Sequence, residues 1–488
     1  MNTPVDLTQL EPQNVWTHFA TLCQIPRQSK HEQQLRQHLQ DWAITKGLET
    51  YVDQIGNLII RKPATQGMEH VAGVILQGHL DMVTQANRGT EHDFSQDPIQ
   101  PILKDGWLIA ENTTLGADNG IGVALALAVL DAKEISHGPI EVLLTIDEEA
   151  GMSGARFLEK GVLHGKWLFN IDTEEWGQLY LGCAGSQDVE IHQPLDYVDL
   201  PQHLQHVEIQ VLGLKGGHSG VDIHLGRGNA NVILAQFLNE NLDALGGYLI
   251  EFSGGTARNA LPREATAKIA LPDTAFAALQ LRLLQAQQHW QDMLKGIDDA
   301  LQLSCHIVEN TATQMLEKSQ QTIWLNALAH CPYGVIQMSQ SLENVVETSN
   351  NIGVVRLNNT GADVSIMVRS MVNHALSAHA EQIQRLFNND GISATLAPLV
   401  SGWTPNPNSA ALHCLQDAYQ QRFNIEPDLK VIHAGLECGI IAEHYPHLEM
   451  VSFGPDIQGA HAPGERVNVE TVEKCWKLLT AALARVTA

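Results

Sequence analysis

The chain has 488 residues, room for two or three domains, and 44% of them are hydrophobic, enough for a sizeable core. Its 55 acidic against 29 basic residues give a formal net charge of −26, which argues against nonspecific binding to nucleic acid or to an anionic membrane surface. No apolar run of about 18 residues marks a transmembrane helix. No basic segment followed by an apolar core marks a signal peptide at Met1, and seven cysteines without a C-x-x-C read as free thiols of a reducing, cytoplasmic compartment.

In chain order, Val15, Phe19, Leu22 and then Leu35, Leu39, Trp42 recur at helical spacing, which predicts a helix or helix pair over 14–46. Strands and helices then alternate to about 184, an α/β pattern with a largely parallel sheet. Val71–Leu76 reads as a buried strand and leads into Gly78-His79-Leu80-Asp81. In extended chain, residues i and i+2 share a face, so His79 and Asp81 leave the strand end side by side. Asp118 stands in Gly116-Ala-Asp-Asn-Gly-Ile-Gly122, at the start of an apolar helix. It suits either an N-cap or a carboxylate shared by two metal ions. Glycines 116, 120 and 122 would let backbone approach such a site. The strand Pro139–Ile146 runs into Asp147-Glu148-Glu149, three acids that are costly at a buried strand end unless cations neutralise them; a solvated turn is the alternative. Trp167–Asp172 is again a strand ending on a carboxylate.

From 187 to 398 the pattern changes. Strands are expected at 206–212, 248–252, 265–270, 303–308, 345–348, 354–359, 363–370 and 394–398, with helices at 229–242, 274–297, 320–330 and 377–387. This reads as an inserted α+β domain, with an element order that recurs as in two related lobes. After it come a helix from Ala410, a strand at 448–453 and a closing helix at 470–486. A Gly/Pro-rich loop there carries His461. His461 must return to the early ligands, so 1–186 and 399–488 are expected to form one discontinuous domain. Together the segments supply two imidazoles and several carboxylates. Mixed N/O donors suit Zn²⁺, Mn²⁺ or Co²⁺, and their number suits two ions better than one.

G-H-L-D, G-A-D-N-G, D-E-E-x-G, the N-I-D strand end and the late G-A-H resemble the co-catalytic zinc peptidases, the family of the aminoacylases, carboxypeptidase G and dipeptidases. N-I-D-T-E-E-W-G at 170–177, G-G-H-S-G at 216–220 and H-A-G-L-E-C-G at 433–439 make the aminoacyl-histidine dipeptidase branch the closer match. The resemblance implies a discontinuous zinc-exopeptidase-like domain with an inserted lid, and a homodimer formed through that lid. It implies hydrolysis of dipeptides such as β-alanyl-histidine by a hydroxide bridging two divalent ions, zinc foremost. His79 and Asp172 would bind one ion, Glu149 and His461 the other, and Asp118 both. Asp81 would orient His79, and Glu148 would be the general base. In the lid, His218 would donate to the oxyanion, and Asn259, Arg369 and Gly435 would contact substrate; His433 and Glu437 are further candidates. Without the resemblance, Asn259 reads as a turn residue and Arg369 equally as an ion-pair partner. A deacylase or carboxypeptidase would share every metal ligand. A silent binding protein would have no use for both Glu148 and Glu149.

Overall fold

The computed structural model describes residues 5–340 and 342–487; Met1–Pro4, on which part of the N-terminal reading rests, lie outside them. Two compact units emerge, one of residues 1–183, 403–431 and 436–488, the other of 184–402 and 432–435. The second therefore takes in a short piece of the C-terminal segment that the sequence reading assigned wholly to the first.

The first unit is built on an eight-stranded mixed sheet. Its strands are β1 (Glu49–Val52), β2 (Leu58–Lys62), β3 (Val74–His79), β4 (Ile140–Thr145), β5 (Trp167–Asn170), β6 (Gln178–Cys183), β7 (Asp428–Ile432) and β8 (Glu449–Ser452), in the order β1-β2-β4-β3-β5-β8-β6-β7. The four central strands β4, β3, β5 and β8 are parallel, and the flanking pairs β1–β2, β2–β4 and β8–β6 are antiparallel. Strands β3, β4 and β5 are buried at every residue, which is why they read as unbroken apolar runs: both faces of a parallel sheet are covered. Parallel strands bring their C-terminal ends to one edge, so His79, Glu148–Glu149 and Asp172 arrive together there.

The covering helices are α1 (Gln13–Gln24), α2 (Gln33–Thr45), α3 (Ala117–Asp131), α4 (Ala410–Phe423) and α5 (Val469–Leu483). Helix α3 is apolar all round and buried at every position from Asn119 to Leu130. The expected strand at 71–76 begins at Val74 and runs on through His79, because Gly78 and His79 still pair with Leu144 and Thr145.

The second unit has a nine-stranded sheet in which every registered pairing is antiparallel, with helices Ala230–Asn241, Phe276–Met293, Lys318–His330 and Asn373–Asn389. The two expected lobes share this one sheet, joined where Tyr248–Gly254 pairs with Val346–Asn358. Val346–Asn358 is a single strand where two were expected. Its polar centre, Ser349-Asn350-Asn351, resembles a break but is buried. Asn350 donates to the Pro332 carbonyl (2.5 Å), and Asn351 to those of Arg258 (3.1 Å) and Ala260 (2.8 Å). Among the described residues no helix is long and apolar enough to cross a membrane.

Candidate metal centre and substrate groups

Asp118 lies between two imidazoles: its Oδ1 is 3.1 Å from His79 Nε2 and its Oδ2 3.1 Å from His461 Nε2. His79 Nε2 is also 3.4 Å from Asp172 Oδ1, and His461 Nε2 is 3.0 Å from Glu149 Oε2. Among the described residues, ligand atoms close enough to share one ion occur in three groups: His79, Asp118 and Asp172; Asp118, Glu149 and His461; and His79, Glu148 and Glu149. The first two share Asp118, and the third leaves Glu148 free to be a ligand or a base.

Local structure sets these positions. Residue Asp118 is not an N-cap: the cap position is Gly116, and Asp118 and Asn119 have non-helical backbone before α3 becomes regular. Asn119 Nδ2 donates to the Ile171 carbonyl (2.5 Å), next to Asp172, and a Cβ at Gly78 would strike the Asn119 side chain. Asp147, at φ 55°, turns the chain sharply after β4 so that a short helix starts at Glu148. His461 is itself left-handed (φ 65°) in the loop between Ile457–Gln458 and Arg466–Asn468.

Asp81 is fully buried. Its Oδ1 is 3.3 Å from His79 Nδ1 and accepts from Glu148 N–H (3.0 Å); its Oδ2 accepts from Glu149 N–H (3.1 Å) and the Ser29 hydroxyl (2.7 Å). One carboxylate thus ties the imidazole to the backbone of both glutamates.

The donor set fits divalent cations. Glu149 Oε1 and Asp172 Oδ1 are buried without a hydrogen bond, which is costly unless a positive charge faces them. The carboxylates draw positive charge towards the imidazoles. Hydrogen bonds to Asp118 and Glu149 push the His461 pKa up to about 11. Burial opposes charge on His79, but Asp172, Asp118 and Asp81 outweigh it and hold that pKa well above its ordinary value. Burial is the main reason the Asp172 pKa rises to about 6. At Glu148 burial again leads; His79 pulls the pKa down, repulsion from Asp172, Glu437 and Glu149 pushes it up, and the net shift is well upward.

Three more charged groups are buried beside the centre, of which Arg27 and Glu465 carried no readable signal in the sequence. Glu437, a weak candidate from the sequence, is buried and accepts from Gln77 Nε2 (2.6 Å) and Thr145 Oγ1 (2.6 Å), and burial raises its pKa to about 7. Arg27 and Glu465 are buried as well, and both grip backbone atoms. Cys183 and Cys438 are free and buried, like small hydrophobes.

In the second unit, His218 pairs across a short ladder with Ala260. Its Nδ1 accepts from the N–H groups of Gly220 (3.2 Å) and Val221 (3.0 Å), so a neutral ring carries its proton on Nε2. Burial lowers its pKa, and the Arg369 charge adds to that. Arg369 is buried with Nε unpartnered, and its charge offsets part of the burial that lifts the Asp188 pKa. His433 accepts or donates at Nε2 to Ser349 Oγ (2.8 Å), leaves Nδ1 unpartnered, and is held down to about 3 by burial and then by Arg369 and His218. A Cβ at Gly220 would meet the His433 carbonyl and Arg369 Nε, so these residues lie together. Asn259 and Gly435 are exposed, and the Asn259 carbonyl accepts from Ser219 N–H (2.8 Å).

A parallel-centred sheet with paired histidines and carboxylates at its C-terminal edge defines a metallopeptidase scaffold. The chain belongs to peptidase family M20/M25/M40, whose sequence model matches residues 75–485. It is 43% identical over 483 residues to the cytosol non-specific dipeptidase of Escherichia coli (strain K12), covering 99% of each chain. Among solved structures it is similar to the aminoacylhistidine dipeptidase of Vibrio alginolyticus, with TM-score 0.94, 42% identity and coverage of 99% of this chain and 98% of that one. The aminopeptidase PepT of Bacillus cereus ATCC 10987 shares the fold at TM-score 0.56 and 18% identity, covering 97% of this chain and 98% of its own.

Proposed function

We propose that the protein is a metal-dependent dipeptidase acting on unblocked dipeptides, Xaa-His dipeptides such as β-alanyl-histidine among them. One observation carries the reading: Asp118 stands within 3.1 Å of two imidazoles, each with a further carboxylate of its own. Similarity over the full length to a dipeptidase supports it. His79 and Asp172 would hold one ion, Glu149 and His461 the other, and Asp118 both. Zinc is the proposed ion; cobalt and manganese suit the same donors.

When bound, such ions polarise the peptide carbonyl and lower the pKa of water towards about 7. Glu148 takes a proton from the attacking water and returns it to the leaving amine; its upward-shifted pKa makes it a stronger proton acceptor than an ordinary carboxylate. Asp81 fixes the ring of His79. His218, protonated on Nε2, donates to the developing oxyanion. Arg369, with a buried unpartnered Nε, binds the substrate's terminal carboxylate, with Asn259 and Gly435 beside the substrate. Capture of that terminal carboxylate would restrict substrates to dipeptides. Cytosolic residence and a homodimer through the inserted unit belong to the same reading; light scattering tests the dimer.

The experiment is a rate comparison across Xaa-His dipeptides, tripeptides and N-acetyl amino acids. Cleavage confined to dipeptides is the expected result. Preferred cleavage of N-acetyl amino acids would replace it with a deacylase.

A further inference from the structure

Two buried side chains of opposite charge hold the turn that carries Asp118. The Glu465 carboxylate accepts four successive backbone N–H groups: Leu115 (2.7 Å) and Gly116 (2.8 Å) on Oε2, Ala117 (2.7 Å) and Asp118 (3.2 Å) on Oε1. Three of the four, at Gly116, Ala117 and Asp118, are orphan donors at the start of α3, and N–H groups gathered there favour an anion. Glu465 stands on the loop of His461, anchored by hydrogen bonds from Gly464 N–H to the carbonyls of Ala110 (3.0 Å) and Thr113 (3.1 Å). On the opposite side, Arg27 Nη1 donates to the carbonyls of Leu80 (3.0 Å) and Asp81 (2.8 Å), and Nη2 donates to that of Gly116. Gly116 is gripped from both sides, its N–H by Glu465 and its carbonyl by Arg27. It adopts φ 69°, and a Cβ there would strike Arg27 Nη2 and Met82 Sδ. The glycines expected to let backbone approach a metal site make room for the Arg27 side chain at 116 and 120, and for the Ile171 carbonyl at 122.

We propose that Glu465 and Arg27 are positioning residues that register the three ligand-bearing segments against one another: Glu465 fixes Asp118 to the His461 loop, and Arg27 fixes it to the segment that follows His79. The inference rests on the two-ion reading above. It goes beyond simple capping of α3, because a cap that served stability alone would leave the two ion affinities in their original ratio. Glu465→Gln keeps the shape but turns an NH₂ towards two of the four N–H donors. The ion held by Glu149 and His461 then loses the registry of its ligands, whereas the ion of His79 and Asp172 keeps the Arg27 side.

The test titrates metal-free wild type and Glu465→Gln with Co²⁺, followed by ligand-field absorption and by heat. Two ions are expected for wild type. In the variant one affinity should fall roughly 10–100-fold while the other changes little, with Glu465→Asp recovering part of the loss. Circular dichroism checks the fold; if the Gln variant is unfolded, the Asp variant is read by the same criterion. Unchanged affinities, or an equal fall in both, overturn the inference and leave the dipeptidase reading standing. A wild type that binds one ion refutes the two-ion reading and the inference with it.

Discussion

Asp81→Asn is a nearly isosteric change at a residue with no exposed surface, and its cost follows from the hydrogen bonds. Each carboxylate oxygen serves two donors: Oδ1 faces Glu148 N–H and His79 Nδ1, Oδ2 faces Glu149 N–H and Ser29 Oγ. An amide places an NH₂ at one of the two positions. At Oδ2 the Ser29 hydroxyl rotates to accept, but Glu149 N–H meets an N–H; at Oδ1 both Glu148 N–H and His79 Nδ1–H do. At least one buried donor is orphaned, a cost of ~1–3 kcal/mol. The imidazole also loses the carboxylate beside its Nδ1 (3.3 Å) and keeps the Asp81 backbone carbonyl (3.2 Å), a change for which roughly 10–100-fold in metal affinity is expected. That corresponds to about 1.4–2.7 kcal/mol. Competition against a chelator measures the affinity and urea unfolding the stability, with kcat taken at saturating metal. A variant with wild-type affinity and stability would refute the reasoning, since in either orientation the amide NH₂ faces a backbone N–H, that of Glu148 or that of Glu149.

Glu148→Gln should retain both ions while kcat falls by roughly 10²–10⁴, the range of a general base; full activity would remove Glu148 from the reaction. Arg369→Ala should raise KM for dipeptides by about tenfold or more, as expected for losing a charge-assisted pair, with kcat less affected; an unchanged KM ends its clamp role. His18 is held at about 4, mainly by burial, with Asp131 opposing. Its folded pKa lies below the unfolded value of 6.5, so the unfolded chain binds the extra proton, and stability falls as pH drops from 6.5 towards 4. The slope from this residue reaches about 1.4 kcal/mol per pH unit. His18→Gln should flatten the pH dependence of urea unfolding by that amount, and an identical slope would contradict it.

The fold was legible where physics leaves a periodic mark. Strands covered on both faces become apolar runs, and the acids and histidine at the ends of β3, β4 and β5 stand out against them. The polar centre of Val346–Asn358 hid a continuous strand, because its asparagines are satisfied by backbone carbonyls distant in sequence. Arg27 and Glu465 were invisible for a related reason. They bind backbone atoms of distant turns, and nothing in a local pattern separates such a charge from one on the surface. Asn119 and Gly78 form a matched pair, side chain against missing side chain, that only the packed sheet reveals. The order of Glu148 and Glu149 was likewise beyond local reading, since adjacent glutamates differ only in where the turn at Asp147 points them.

Metal-stripped protein, restored with Zn²⁺, Mn²⁺ or Co²⁺ in turn and assayed on an Xaa-His dipeptide with ion stoichiometry measured alongside, tests the central claim most directly. Activity should be absent without metal and return as the second ion binds. Full dipeptide hydrolysis by the stripped protein, or none with two ions bound, would contradict it.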